Sequence, residues 1–239
     1  MTIVILFIGV IAVIAGWWLA KQRLMSKPWL EESVVGDIAY ETASLPTQTK
    51  IGLGVFLVVV SALFVLLISA YSMRMQAPDW RDLPVPDLLW LNTAILVLSS
   101  IALQGAQVAA RRVERGHGQM LDVKIGLLSG AAFAVMFLVG QILAWRQLTG
   151  AGYLLASNPA NAFFYLLAGL HGVHLIGGLV ALGRAGRKVW RDDLRSRIRL
   201  SVGLCAAYWH FLFLVWLVVL GMLTGWVQDF LVICGQLLS

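Results

Sequence analysis

Three of the four histidines lie in apolar stretches of this chain. His171 and His174 fall in Gly169-Leu170-His171-Gly172-Val173-His174, and His210 falls in Tyr208-Trp209-His210-Phe211. Imidazoles in such a setting either ligate haem or a metal ion, or hydrogen-bond to a neighbouring helix, a lipid headgroup or a bound water. His171 and His174 are three residues apart and share one helical face. They cannot take opposite sides of one haem, so His210 would have to supply the second axial position. No fourth histidine or carboxylate in the apolar stretches completes a metal set. The spacing therefore favours hydrogen bonding between helices over cofactor ligation. Gly169, Gly172, Gly177 and Gly178 leave little side-chain bulk, an opening for close approach of another helix. Trp209 and Trp216, seven apart, share a face and read as a packing stripe. No Ser-His-Asp or Cys-His set, phosphate loop or zinc-protease pattern stands out.

The elements that hold these residues must be membrane helices. The chain of 239 residues is 60% hydrophobic and 13% charged, with mean hydropathy +0.84, too apolar for a soluble domain. Six apolar stretches, 2–19, 51–71, 88–110, 124–145, 161–183 and 200–226, are each long enough to cross about 30 Å of hydrocarbon. All six prolines fall between them, which predicts uninterrupted helices. The expected fold class is all-α: a polytopic membrane helix bundle of six transmembrane helices. Residues 1–20 read as an N-terminal anchor, 21–49 as a cytoplasmic connector and 50–239 as a five-helix membrane domain. Each midplane histidine then lies about 15–20 Å from a membrane face.

Charge sets the orientation. Of 18 Lys and Arg, 15 collect on one side and only Arg74, Arg81 and Arg146 on the other. Basic loops stay in the cytoplasm, so both termini are expected outside. The net charge of +6 is this asymmetry and not a nucleic-acid surface. A strongly basic loop, 184–199, joins the last two spans, and its Arg184, Arg187 and Lys188 suit anionic lipid headgroups. Thr93, Ser100, Gln104 and Gln107 are spaced by seven, four and three and form a polar stripe on the third span. Such a stripe should face protein. No Asp, Glu, Lys or Arg lies deep in any span, which argues against an autonomous pump or proton antiporter.

These motifs resemble subunit III of haem-copper respiratory oxidases. Gly169-Leu170-His171-Gly172-Val173-His174 is similar to the family's glycine-histidine-glycine-x-histidine helix. Tyr208-Trp209-His210-Phe211 followed by Val215-Trp216-Leu217 is similar to its last helix, and Leu91-Asn92-Thr93 to a leucine-asparagine-threonine helix start. The resemblance spans about residues 50–228. Three departures are visible: Ser61-Ala62 replaces a Ser-Glu pair, Phe213 an aspartate, and Gln104 to Gln107 a pair of histidines. The resemblance implies an accessory, non-catalytic subunit of a bacterial cytochrome c oxidase in the inner membrane. It would hold no cofactor itself, with haem and copper in subunits I and II. It would bind phospholipid, steady the catalytic subunit and support proton and oxygen delivery. The alternatives are the equivalent subunit of a quinol oxidase or nitric oxide reductase, or a stand-alone haem-binding membrane protein.

Overall fold

The computed structural model describes residues 37–81, 83–191 and 194–225, with the backbone alone over 37–47. The expected anchor at 2–19 and the tail bearing Cys234 lie outside these residues. The described residues hold five helices: α1 (Asp37–Arg74), α2 (Leu88–Glu114), α3 (Met120–Gly150), α4 (Pro159–Trp190) and α5 (Arg195–Leu223). All five are long and apolar enough to cross a membrane, and none of the described residues is in a strand. The chain divides at residue 70 into two compact units.

In the first unit, α1 is longer than hydropathy implied. Residues 37–49, the described part of the expected connector at 21–49, are helical, and Pro46 lies within α1 instead of before it. Ser61 spends its hydroxyl on its own helix, donating to the Leu57 carbonyl at 2.8 Å.

In the second unit, α2 packs on α3 and α5, and α4 packs on the same two helices. Local chemistry fixes where each helix stops. α2 and α3 end in left-handed glycines, Gly116 (φ 81°) and Gly152 (φ 89°). Past each, two backbone bonds close the last turn: His117 to Arg112 and Gly116 to Val113, then Tyr153 to Leu148 and Gly152 to Thr149. Pro159 starts α4 where a missing N–H costs nothing, and the Asn158 side chain accepts from the Ala160 N–H at 3.2 Å.

Two expectations about the last helices are corrected. The basic segment 184–199 is mostly helix: α4 runs to Trp190 and α5 begins at Arg195. Arg and Lys are good helix formers, so the helices continue past the apolar stretch. α5 also stops at Leu223, short of the expected 226, where Gly225 (φ 78°) turns the chain.

The tightest seam joins α2 and α3. A side chain on Gly126 would sit 2.8 Å from Ala106 Cβ, and one on Gly130 would sit 2.7 Å from Leu103 Cγ. Gly126 and Gly130 are four apart, the small-x-x-x-small spacing that lets membrane helices touch backbone to backbone. Around this seam Leu89, Leu96, Leu103, Phe137, Phe164 and Leu212 are fully buried. At the basic end, Arg199 pairs with Glu114 at 2.6 Å, and Arg195 donates to the Val113 carbonyl at 3.4 Å.

Candidate functional site

A column of polar side chains runs between α2 and α5. Near one end, the Trp216 indole N–H donates to Thr93 Oγ1 at 2.9 Å, and Thr93 passes its own hydrogen to the Leu89 carbonyl at 2.8 Å. Midway, the Trp209 indole donates to Ser99 Oγ at 2.9 Å, and Ser99 donates to the Gly130 carbonyl of α3 at 2.8 Å. Ser99 thus ties three helices through one hydroxyl. Toward the basic end, His210 Nδ1 lies 2.6 Å from Ser100 Oγ and its Nε2 lies 3.0 Å from Gln104 Oε1. These partners fix the tautomer. Nε2 carries the proton and donates to the amide oxygen, and Nδ1 accepts from the Ser100 hydroxyl. Gln107 completes the stripe beside Gly203 of α5, whose added Cβ would lie 3.4 Å from Gln107 Nε2. All four stripe residues therefore meet α5.

The histidines of α4 behave differently. His171 is fully buried, and its Nε2–H donates to the Leu212 carbonyl of α5 at 3.1 Å. Its ring packs against Phe137 and Trp216, with centroids at 5.7 Å and 5.1 Å. His174 donates from Nδ1 to Leu170 of its own helix at 2.8 Å. Its backbone carbonyl receives the Tyr208 hydroxyl at 3.0 Å. Of the three histidines, the His171 side chain joins α4 to α5, whereas His210 turns to α2.

The glycines also sort unequally. A Cβ on Gly169 or Gly172 would make ordinary contacts, at 3.4 Å to Trp145 and 3.7 Å to Leu138, and Gly177 faces open space. Gly178 is the tight position, where a Cβ would meet Trp209 at 2.8 Å and Tyr208 at 3.0 Å. Trp209 and Tyr208 seat on α4 there. Arg184, Arg187 and Lys188 are exposed on the last turns of α4, and Lys188 donates to Ser201 at 2.9 Å. Such cations complement the negative end of the helix dipole.

Sequence reasoning missed one bond of the core. The Asn92 amide donates to Gln141 Oε1 at 3.1 Å, linking α2 to α3. Its amide also lies over Gly140, where a Cβ would overlap the Asn92 oxygen and come 2.7 Å from its Cγ. The signal was available, because buried amides on two neighbouring membrane helices seek each other.

Comparison with known proteins decides the family. The cytochrome c oxidase subunit III pattern matches residues 4–228, further toward the N-terminus than the motif-bearing stretch. The chain belongs to the cytochrome c oxidase subunit III family. A cytochrome c oxidase subunit 3 of Thermostichus vulcanus is 30% identical over 187 residues, covering 74% of this chain and 87% of that protein. One from Synechocystis sp. is 28% identical over 214 residues, covering 82% and 87%. A cytochrome bo(3) ubiquinol oxidase subunit 3 of Pseudomonas aeruginosa is 25% identical over 176 residues, covering 72% and 82%. The subunit III family carries no redox cofactor; haem and copper sit in partner subunits. In this chain His171, Tyr208, Trp209 and Trp216 make bonds between helices, whereas His174 bonds within its own. Among the described residues, no three His, Cys, Asp or Glu side chains are grouped to hold a metal.

Proposed function

We propose that this chain is the accessory, non-redox subunit III of a bacterial cytochrome c oxidase in the aerobic respiratory chain. It sits in the inner membrane beside subunits I and II, steadies subunit I, holds phospholipid, and supports proton and oxygen delivery. The observation that carries the reading is the family match over residues 4–228, together with relatives named as cytochrome c oxidase subunit 3. The geometry agrees with an accessory role, since His171, Trp209, His210 and Trp216 are engaged in holding helices together.

Finer parts of this reading concern the membrane. The orientation has the basic end in the cytoplasm and both termini outside, with residues 1–20 as a sixth transmembrane helix and 21–49 as a cytoplasmic connector. Arg184, Arg187 and Lys188 contact anionic headgroups there. The residues from 50 onward form the subunit III-like membrane domain.

A second reading rests on the Pseudomonas aeruginosa relative, whose name is that of a ubiquinol oxidase subunit. One experiment separates the two. The chain is purified from its own membranes in mild detergent, its companions are identified by mass spectrometry, and oxygen consumption is measured with reduced cytochrome c and with ubiquinol. A haem-copper subunit I, a copper-bearing subunit II and oxidation of cytochrome c are expected. Oxidation of ubiquinol alone would establish the second reading, and a chain recovered without oxidase subunits would overturn both.

A further inference from the structure

Four buried side-chain atoms have no partner among the described residues: Gln141 Nε2, Trp145 Nε1, Asn161 Oδ1 and His171 Nδ1. All four belong to α3 or α4. Contacts across the seam between these helices fix its register. The Phe137 ring meets His171, Leu138 lies opposite Gly172, and Trp145 packs on Tyr165. Antiparallel helices in that register put Gln141 level with Gly169, two residues or about 3 Å along the axis from His171. Gly169 has no side chain to fill this level, and a Cβ there would stand 3.4 Å from the rim of the Trp145 ring. Asn161 lies apart, ten residues nearer the start of α4.

The unmet atoms at the Gly169 level are complementary. Gln141 Oε1 accepts from Asn92, so the free end of this amide is its N–H₂ donor. His171 gives its Nε2 hydrogen to the Leu212 carbonyl, which can only accept, so Nδ1 is a bare acceptor. Gln141 is 4% exposed and His171 0%, so neither reaches bulk solvent. Polar groups left unmet in such a place are costly.

We infer that a water molecule is bound between α3 and α4 at the level of Gly169, accepting from Gln141 Nε2–H and donating to His171 Nδ1. Buried water needs two to four polar partners, and Trp145 Nε1–H, one turn outward on α3, supplies a third. The pairing selects water over other occupants. An anion would face the lone pair of Nδ1, a cation would face the N–H groups of Gln141 and Trp145, and an acyl chain would satisfy neither. With the water, one chain of bonds crosses α2, α3, α4 and α5 in turn. Asn92 donates to Gln141, Gln141 to the water, the water to His171, and His171 to the Leu212 carbonyl. Every donor points the same way, and bonds aligned head to tail strengthen one another. The site lies wholly inside this chain and does not depend on which complex the chain joins.

The test is radiolytic labelling of the full chain, purified from its own membranes with the subunits that accompany it. An X-ray pulse splits water into hydroxyl radicals, which oxidise the side chains beside them. Phe137, His171 and Trp209 are all fully buried. Phe137 and His171 border the proposed water and should be oxidised, whereas Trp209, held by Ser99, should not. Rapid dilution into water of a heavier oxygen isotope just before the pulse separates bound from bulk water. Oxygen added to Phe137 and His171 should come from the old water, and oxygen added to exposed residues from the new. Gln141→Leu removes the donor and should lower labelling of Phe137 at least five-fold, with Trp209 still protected. Oxidation of Trp209 in that variant would mean a lost fold, and labelling of the unaltered chain would then decide alone. Phe137 and His171 as protected as Trp209 in the unaltered chain would overturn the inference. Uptake of the new isotope as fast as at exposed residues would also overturn it, by showing an open crevice. Unchanged labelling in a folded Gln141→Leu variant would do the same, because the water would then sit elsewhere.

Discussion

At the scale of single residues, the direction of each hydrogen bond decides what a substitution costs. Trp216 and Thr93 form one bond, yet the two halves are not equivalent. Trp216→Phe removes the donor and leaves Thr93 still bonded to Leu89, so the hydrogen-bond part of its cost should be about 0.5–1.5 kcal/mol, with the emptied core volume of the buried indole adding to it. Thr93→Val leaves a buried indole N–H without an acceptor, and the cost should reach about 1–3 kcal/mol. Both substitutions should lower the midpoint of detergent-induced unfolding, and the double variant should cost less than the sum of the two; full additivity would show that the bond contributes nothing. Glycines give a second contrast. Gly178→Leu must displace the Trp209 and Tyr208 rings and should cost about 1–3 kcal/mol in overpacking. Gly177→Leu, one position away, meets nothing within 4 Å and should leave the unfolding midpoint unchanged.

At the scale of elements, α2 and α3 form the pair held most closely, because Gly126 and Gly130 bring α3 against the Ala106 backbone and the Leu103 side chain. Gly126→Leu should prise this pair apart and break the Ser99 link to Gly130, seen as a large fall in recovery of monodisperse chain from the membrane. The Glu114–Arg199 ion pair at the end of α2 and α5 matters less: exposed pairs are worth at most about 1 kcal/mol, and Glu114→Gln should shift the midpoint only slightly. The apolar stretches in the sequence located α2 to α5 and the core of α1, because hydropathy reports the thickness of hydrocarbon. It does not report where a helix ends. Arg184, Arg187 and Lys188 look like loop by charge but continue α4, and Pro46 looks like a break but lies within α1. The face of the Thr93–Gln107 stripe was legible from spacing. Its partner was not, since the spacing within one helix does not say which neighbour will stand opposite. Depth alone likewise says nothing of the partner of His210, which the fold turns to Ser100 and Gln104.

At the scale of the whole molecule, charge and bonding divide the labour between the ends of the bundle. The basic end carries the terminal turns of α2 and α4 and the first turns of α3 and α5. With that end in the cytoplasm, a cysteine introduced by Arg187→Cys should react with a membrane-impermeant maleimide only after the cells are opened. One introduced by Ser157→Cys should react in intact spheroplasts, and the opposite pattern would invert the topology. The polar column carries a consequence in time. Ser99 and Ser100 find Trp209 and His210 only 110 residues later in the chain. At ribosomal speeds of about 5–20 residues per second, α2 waits roughly 5–20 s in the membrane before α5 is made. Thr93 has its own helix and Asn92 and Ser99 have α3 to bond during that delay, so Ser100 and Gln104 are the groups of the column that wait for α5. Birth order thus makes α2 the first helix of the column able to recruit a companion.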